Sequence, residues 1–525
     1  MITRRIALVF AGLALLSQSC TDLEEELFGQ VTAESFFQTD EEFIAALGQA
    51  YSAFGGLGNH SNLWSTNEIA SDELVITTKG GDWFDGGVLI DLHRHEYDAD
   101  NGFFNNTWTF CYGGISTVNR LIFQFSSLGN PNAEAFVSEL RAVRALWYYW
   151  LLDSFGNVPL VTDFTDTTPK GNSSRAEVFN FVESELNAVI GNLSKDNNSS
   201  TYGRMNYWAA LALRSKLYLN AEVYTGTAKW SQAAADAREI MNDGPFGLSG
   251  TYSNNFSVDN EDSPENIFVV PYDQVFSPGF NWPAMTLHYA SQGVFNLTFQ
   301  PWNGYSVVEE FYNSYIDPDQ NPGPQGFVFK GLNDDPNATG TQDERLSNFI
   351  AGPQFNTDGT QAEDPGVEDS DPDGPGLNFT PFINEIFPNG WRQGGVRIGK
   401  YEYEQGSTEN LSNDFVVFRL ANIMLTLAEA EYRQGNTAEA LALVNQLRAR
   451  AGVDPFTELN DDNFLAEWGR EMFAELTRRQ DLIRWGKYGE AWWEKDPSAE
   501  FYEIFPIPQA QLDASSALQQ NPGYN

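Results

Sequence analysis

Residues 414–452 constrain this chain more than any other stretch. Between Asp414 and Gly452 apolar residues recur at helical spacing: Phe418, Ile423, Leu425 and Leu427, then Leu441, Leu443, Val444 and Leu447. Gly435-Asn436 interrupts the run, and Thr437-Ala438 can begin a second helix. Ala428, Ala430, Ala440 and Ala442 put small side chains where two antiparallel helices must approach. The stretch predicts a helical hairpin of the tetratricopeptide type, and such a unit cannot bury its apolar face alone.

Sibling helices are therefore required, and the sequence supplies them. Residues 206–224 and 229–241 form a second hairpin pattern, with alanines at 209, 210, 212, 233, 234, 235 and 237. Further helices are predicted over 41–54 with Asp40 as cap, 104–125, 133–155, 174–193, 461–476 and 479–488. The 133–155 helix is apolar on most faces and belongs in the centre. Residues 55–101 read as irregular. From 244 to 413 helical periodicity is mostly lost, while Pro, Gly, Asn and Asp are dense. The aromatic residues there, among them Trp282, Tyr289, Trp302, Tyr305 and Trp391, argue against disorder. A long ordered stretch without regular structure is usually functional. The expected fold is mainly α: stacked hairpins as scaffold, carrying a large loop-rich aromatic region. The chain divides into 1–19, 20–39, a helical part at 40–243, and a second part at 244–525. The second part is loop-rich over 244–413 and helical over 414–525.

Thirty basic and 72 acidic residues leave a formal charge of −42. Such a surface repels phosphate backbones, which argues against nucleic acid as a partner. Residues 1–19 have the form of a signal peptide: Arg4 and Arg5, then an apolar run over 6–16 too short to span a bilayer. Ser17-Gln18-Ser19-Cys20 resembles a bacterial lipoprotein box, in which Cys20 becomes the lipidated first residue. The acidic run from Asp22 to Glu26 then reads as a tether. Cys111, the only other cysteine, lies in an aromatic helical run and reads as a buried structural thiol.

Five segments, in order, resemble the SusD/RagB family of Bacteroidetes outer-membrane glycan-binding lipoproteins. They are SDELVITTKGGDWFDGG (71–87), RAVRALWYYWLLDSFGNVPLV (141–161), FRLANIMLTLAEAEYRQG (418–435, with Asn422 where Asp is usual), REMFAELTRRQDLIRWGKY (470–488) and IFPIPQAQLDASSALQQNPGY (504–524). The resemblance implies a non-enzymatic protein on the outer face of the outer membrane, held by its lipid. It would pair with a SusC-like TonB-dependent transporter barrel and capture oligo- or polysaccharide for import. Physically, the charged residues of 470–488 lie at spacings that allow ion pairs along a helix.

A neutral sugar offers C–H faces that stack on aromatic rings, and hydroxyls that need paired donors and acceptors. A site therefore calls for exposed aromatics beside Asp, Asn, Lys or Arg on loops held by a rigid frame. The 63–106 stretch offers Trp64, Asn67, Asp72, Lys79, Asp82 and Trp83, and the 276–305 stretch offers Trp282, Tyr289, Trp302 and Tyr305. Trp83 leads, because Gly80-Gly81-Asp82 before it and Asp85-Gly86-Gly87 after it read as a protruding turn. Trp282, between Asn281 and Pro283, is second; Trp302 and Tyr305 follow, beside Pro301 and Gly304. Trp83 and Trp282 are expected to stack on sugar, with Asp72, Lys79 and Asp82 binding hydroxyls. A basic pocket for a polyanion is missing, since 276–305 contains no Lys or Arg. A neutral glucan such as a β-glucan or an α-glucan is the expected ligand.

Other constellations are weaker. His93-x-His95 lacks a third zinc ligand at a characteristic spacing and reads as hydrogen-bonded histidines. DSDPDG, with Asp369, Asp371 and Asp373, begins like a calcium loop, but its twelfth position is Thr380 and Pro372 intrudes. DPDQN (317–321) is similarly incomplete. Solvated acidic loops are favoured, with structural calcium as the alternative, and no cofactor is expected. No phosphate loop, dinucleotide fingerprint or G-x-S-x-G occurs. The rival functions are a glycoside hydrolase acting on the same glycans and an assembly adaptor that binds no glycan.

Overall fold

The computed structural model describes residues 39–128, 133–316, 343–366 and 374–524. The fold is mainly α. Its frame uses α1 (Asp40–Ser52), α2 (Leu63–Ile69), α3 (Val88–Arg94), α4 (Gly102–Ser127), α5 (Ala133–Phe155), α6 (Arg175–Val189), α7 (Tyr207–Leu219) and α8 (Trp230–Asp243). After the loop-rich stretch come α9 (Leu420–Arg433), α10 (Thr437–Arg450), α11 (Asp461–Met472) and α12 (Arg478–Arg484). The first cap is Thr39 rather than Asp40: Thr39 and Glu42 form a reciprocal capping box. Ser174 and Glu177 do the same for α6.

Each long helix packs on the next, α4 on α5, α5 on α6, α6 on α7 and α7 on α8. The series then jumps the loop-rich stretch. α8 packs on α9, and α9 on α10, so the 414–452 hairpin completes a stack begun in the first half of the chain. Where α4 meets α5, a Cβ on Gly114 would lie 2.2 Å from the Trp147 ring, so only glycine permits the approach. Cys111 is buried in this layer, and burial pushes its thiol well above the usual range.

Two expectations change here. Phe415–Arg419 is not helix but a strand, β4, paired antiparallel with β2 (Asn266–Val270). It is buried throughout, so it carries no alternating pattern to betray it. Residues 55–101 are not simply irregular, since they hold α2, α3 and β1 (Leu74–Ile76). β1 pairs with β3 (Tyr305–Val307) and brings the two aromatic loop regions side by side.

The charged run at 470–488 is also reorganised. The break expected between 461–476 and 479–488 lies between α11 and α12, where Ala474 and Leu476 take φ of 58° and 59°, and both helices are shorter than expected. Only some of its ion pairs run along a helix, such as Arg470–Glu467 and Arg484–Asp481. Most cross between elements. Arg419 donates to Glu471 at 2.7 Å and to Glu475 at 2.8 Å, Lys400 to Glu475 at 2.7 Å, and Arg345 to Glu467 at 2.7 Å. These groups are fully buried and compensate one another, as ions must where water is excluded. The closing tail returns to the body: Phe505 and Ile507 are buried, and the Phe505 amide donates to the Ser154 carbonyl at 2.8 Å. Among the described residues no helix is long and apolar enough to cross a membrane.

Candidate functional site

The loop after β1 is pinched shut by paired backbone bonds between Lys79 and Asp82, at 3.0 and 3.2 Å. Gly80, Gly86 and Gly87 take positive φ, and so do Trp83 (61°) and Asp85 (44°). A bulky residue in that region is strained and must be held there by its surroundings. Trp83 is held. Its indole N–H donates to the Trp302 carbonyl at 2.7 Å, across 219 positions of sequence. Its ring lies over Gly304, where a Cβ would meet the indole Cζ2 at 2.5 Å. Asn303, between Trp302 and Gly304, also has positive φ, and its buried amide bridges Arg397 and the Arg392 carbonyl. Both aromatic loops are thus bent into uncommon backbone conformations and tied to each other.

A cavity of about 650 Å³ lies against them, lined by His60, Asp82, Trp83, Asp85, Tyr289 and Trp302, with Phe103 from the first turn of α4. The His60 ring meets Trp302 edge-on at 5.0 Å. Asn281 fixes that imidazole, its Oδ1 accepting from the His60 amide at 3.1 Å and its Nδ2 lying 2.9 Å from Nδ1. Burial lowers the His60 pKa, so at neutral pH the ring is uncharged. The Tyr289 hydroxyl donates to Asp82, and the Arg392 guanidinium sits 4.6 Å over the Tyr289 ring. Arg392 makes two bonds to Asp364, at 2.5 and 3.0 Å. His288 donates from Nε2 to the same carboxylate at 3.0 Å, its Nδ1 accepting from the Ala290 amide at 3.0 Å. Burial lowers the His288 pKa to about 4, so it serves as a neutral donor. Burial opposes the Asp364 charge, but the bonds from His288 and Arg392 outweigh it and hold that carboxyl well below the usual range.

Of the residues expected at a site, Trp83, Trp302, Tyr289 and Asp82 converge on this cavity. The others do not reach it. Trp282 is fully buried against Trp64, Phe280 and Tyr401, because its Asn-Trp-Pro segment starts a short inward helix rather than an exposed turn. Trp64 is equally buried, its indole donating to the Ala474 carbonyl at 3.0 Å. Asn67 returns its amide to the Leu63 carbonyl within α2. Asp72 is taken by the Arg478 fork, with both bonds 2.7 Å. Tyr305 lies beneath the site, bonded to Ser65 and to the His60 carbonyl. Lys79 is buried, with its ammonium on the carbonyls of Thr77 and Gly304. Burial, reinforced by Arg397, holds its pKa well below the usual value. It braces the loop from below instead of meeting a hydroxyl.

Asp85, which the glycine-rich loop also offers, lies at the cavity too. Sequence reasoning passed over His60, Phe103 and Arg392. Nothing local marks these three, whose place depends on tertiary packing. His93 and His95 are hydrogen-bonded, to the Trp493 carbonyl and to Ser498 with Ala70. Among the described residues no cluster of His, Cys, Asp and Glu could hold a metal. Cys20, residues 317–321, Asp369, Asp371 and Asp373 lie outside the described residues.

The chain matches two family profiles, "SusD family" over residues 264–503 and "Starch-binding associating with outer membrane" over 41–219. It is 26% identical to the starch-binding protein SusD of Bacteroides thetaiotaomicron, over 90% of this chain and 86% of that one. It is 22% identical to the SusD-like protein P25 of Formosa agariphila, over 99% of this chain and 98% of that one. The fold is similar to that of a laminarin-binding SusD-like protein, with a TM-score of 0.70 and 22% identity, covering 93% of this chain and all of the other. It is also similar to surface glycan-binding protein A of Bacteroides thetaiotaomicron in complex with laminarihexaose, with a TM-score of 0.68 and 19% identity over 92% and 99% of the two chains.

Proposed function

The chain belongs to the SusD/RagB family of Bacteroidetes, and from that membership we propose that it is a cell-surface glycan-binding protein whose binding site is the Trp83–Trp302–Tyr289 cavity. The observation that carries the reading is the 2.7 Å bond from the Trp83 indole to the Trp302 carbonyl. It fuses two distant loops into one wall, with aromatic faces for C–H stacking and Asp82 and Asp85 at its edge for hydroxyls. Two relatives are named for starch and laminarin, both neutral glucans. The acidic rim and the lack of any Lys or Arg in 276–305 favour a neutral glucan here too.

Captured glycan would pass to a SusC-like TonB-dependent transporter, with Cys20 lipidated as the anchor on the outer face of the outer membrane. Family membership supports both roles, and the stacked hairpins would provide the transporter-facing frame.

Binding without hydrolysis fits the carboxylates. A glycosidase needs one carboxylic acid kept protonated near neutral pH. Asp364 instead is held ionised by Arg392 and His288, and Asp82 already accepts from Tyr289.

The test is affinity electrophoresis of the mature protein in gels containing laminarin or starch. Wild type is expected to be retarded by one of them, and Trp83→Ala to lose most of the retardation. A folded Trp83→Ala protein that is retarded like wild type would remove the site from this cavity. New reducing ends on long incubation with pure protein would favour the hydrolase.

A further inference from the structure

A second hollow of about 580 Å³ opens on the far side of Tyr289. Tyr289 and Gln300 line both hollows, so the two form one trough with the Tyr289 ring as a ridge between them. The halves differ in chemistry. On one side stand Trp83, Trp302 and Phe103. On the other the walls are Gln292, Asn356, Glu363, Asp364 and Arg392, with no aromatic beyond the ridge itself.

The polar half is built rather than loose. The Asp364 side chain is only 3% exposed and is fixed by three bonds from Arg392 and His288. Arg392 is clamped between that carboxylate and the Tyr289 ring, and its side chain keeps 30% of its surface open. A guanidinium has five N–H donors, and the two bonds to Asp364 leave donors over for a ligand. Gln292 and Glu363 are exposed at the rim, and Asn356 is half-buried, held on its own turn by Thr360. A wall of fixed donors and acceptors without ring faces suits hydroxyls and gives an apolar ligand nothing to bury against. It does not suit a polyanion: Glu363 and Asp364 face one guanidinium, which Asp364 already neutralises.

We propose that this half is a hydrogen-bonding subsite for the continuing chain of a neutral polysaccharide. The trough would then grip an internal run of sugar units: one or more stacked in the aromatic half, their neighbours held by hydroxyls beyond Tyr289. Each hollow by itself is large enough for a small ligand, so a single sugar fills one and leaves the other to water. Affinity should therefore climb with chain length, and Gln292, Glu363 and Arg392 should set how steeply. This rests on the glycan reading of the aromatic half, and its test separates the two.

The probes are two ladders measured by isothermal titration calorimetry, laminaribiose to laminarihexaose and maltose to maltohexaose. Wild type should bind the hexaose of one ladder at least tenfold more tightly than its disaccharide. Gln292→Ala/Glu363→Ala removes two hydrogen-bonding groups and should flatten that climb by about tenfold at the hexaose, as two bonds of about 0.7 kcal/mol each would. Gln292→Trp, which fills the polar half, should flatten it further. Melting temperatures check that each variant is folded. A climb as steep as wild type in both folded variants overturns the polar subsite, while loss of all binding in Trp83→Ala still supports the aromatic half. Wild type that binds neither ladder nor the parent polymers overturns both readings.

Discussion

The Trp83 indole nitrogen donates to the Trp302 carbonyl at 2.7 Å, and through that bond the loop after β1 and the loop before β3 share one wall. Trp83→Phe keeps a ring for stacking and deletes the donor. A neutral, half-buried hydrogen bond contributes about 1 kcal/mol net. Trp83→Phe is therefore expected to lower unfolding free energy by about that amount in urea titrations and to weaken glycan binding about fivefold. Trp83→Ala should lose most of the binding. If Phe and Ala bind equally well, the ring does not stack on the ligand.

Glu68 and Glu73, which do not line the cavity, form a second relationship. Each carboxylate accepts a backbone N–H from the α11–α12 break: Glu68 from Leu476 at 2.7 Å, Glu73 from Ala474 at 2.9 Å. Both are buried. Burial raises Glu68 from 4.5 to about 7, and burial together with the Glu68 charge raises Glu73 well above the usual carboxylate value. A raised folded pKa stabilises below the unfolded value and loses that stabilisation as pH rises through the folded value. Glu68 thus contributes fully below about pH 4.5, and its contribution falls away through about pH 7, with Glu73 acting in the same direction. Glu429 and Glu471 act oppositely. Burial opposes their charge, yet the surrounding arginines hold both near 2, so their contribution is lost only as pH falls below about 4.5 towards 2. Above about pH 6.5, where the buried histidines no longer add stability as pH rises, urea midpoints up to pH 8 are expected to decline in wild type and to decline less in Glu73→Gln. An identical decline in both would dismiss the shared burial as its cause.

Ion pairs of similar length should differ widely in what they contribute. Arg94–Glu494 is 2.7 Å long but its partners are 30% and 32% exposed, whereas Arg419 pairs with Glu471 at the same distance in full burial. Arg94→Ala is expected to change stability by less than about 1 kcal/mol. Arg419→Met removes the cation shared by Glu471 and Glu475, leaves those buried carboxylates only partly compensated by Arg450 and Lys400, and should cost about 3–5 kcal/mol, seen as a large fall in Tm or as loss of soluble protein. Comparable Tm values for the two variants would contradict the buried network's role.

How much of this was legible depended on whether the signal was local. Helix α5 emerged with the boundaries that its apolar run predicts, because periodicity is written within a few residues, whereas the cap expected at Asp40 falls one residue earlier, at Thr39. β4 was misread because a strand buried on both faces looks like a short piece of buried helix. The glycine-rich turn at 80–87 marked the Trp83 loop, since its positive φ values leave a chemical trace in the sequence. The fate of Asp72 left none: its partner Arg478 lies 406 positions away. Tryptophans were the hardest to sort. A ring that packs a core and a ring that lines a cleft are the same residue, often with proline beside both.

Trp282 and Trp302 put that ambiguity to a direct test, being twenty positions apart, each next to a proline and assigned opposite roles. Trp282 has no exposed surface and touches Trp64, Phe280, Tyr401 and Phe415. Its removal leaves a large cavity, so Trp282→Ala should cost about 3–5 kcal/mol. Trp302 is half-buried at the cavity, and it holds Trp83 through its backbone carbonyl, which a side-chain substitution leaves in place. Trp302→Ala should therefore stay within about 1 kcal/mol of wild type while losing at least tenfold in glycan affinity. The conservative Trp282→Phe variant should recover part of the lost stability and retain wild-type binding. Urea unfolding and gel retardation on the same preparations decide it. Should Trp302→Ala unfold like Trp282→Ala, or Trp282→Phe lose binding without losing stability, the division between core and site drawn here would have to be reversed.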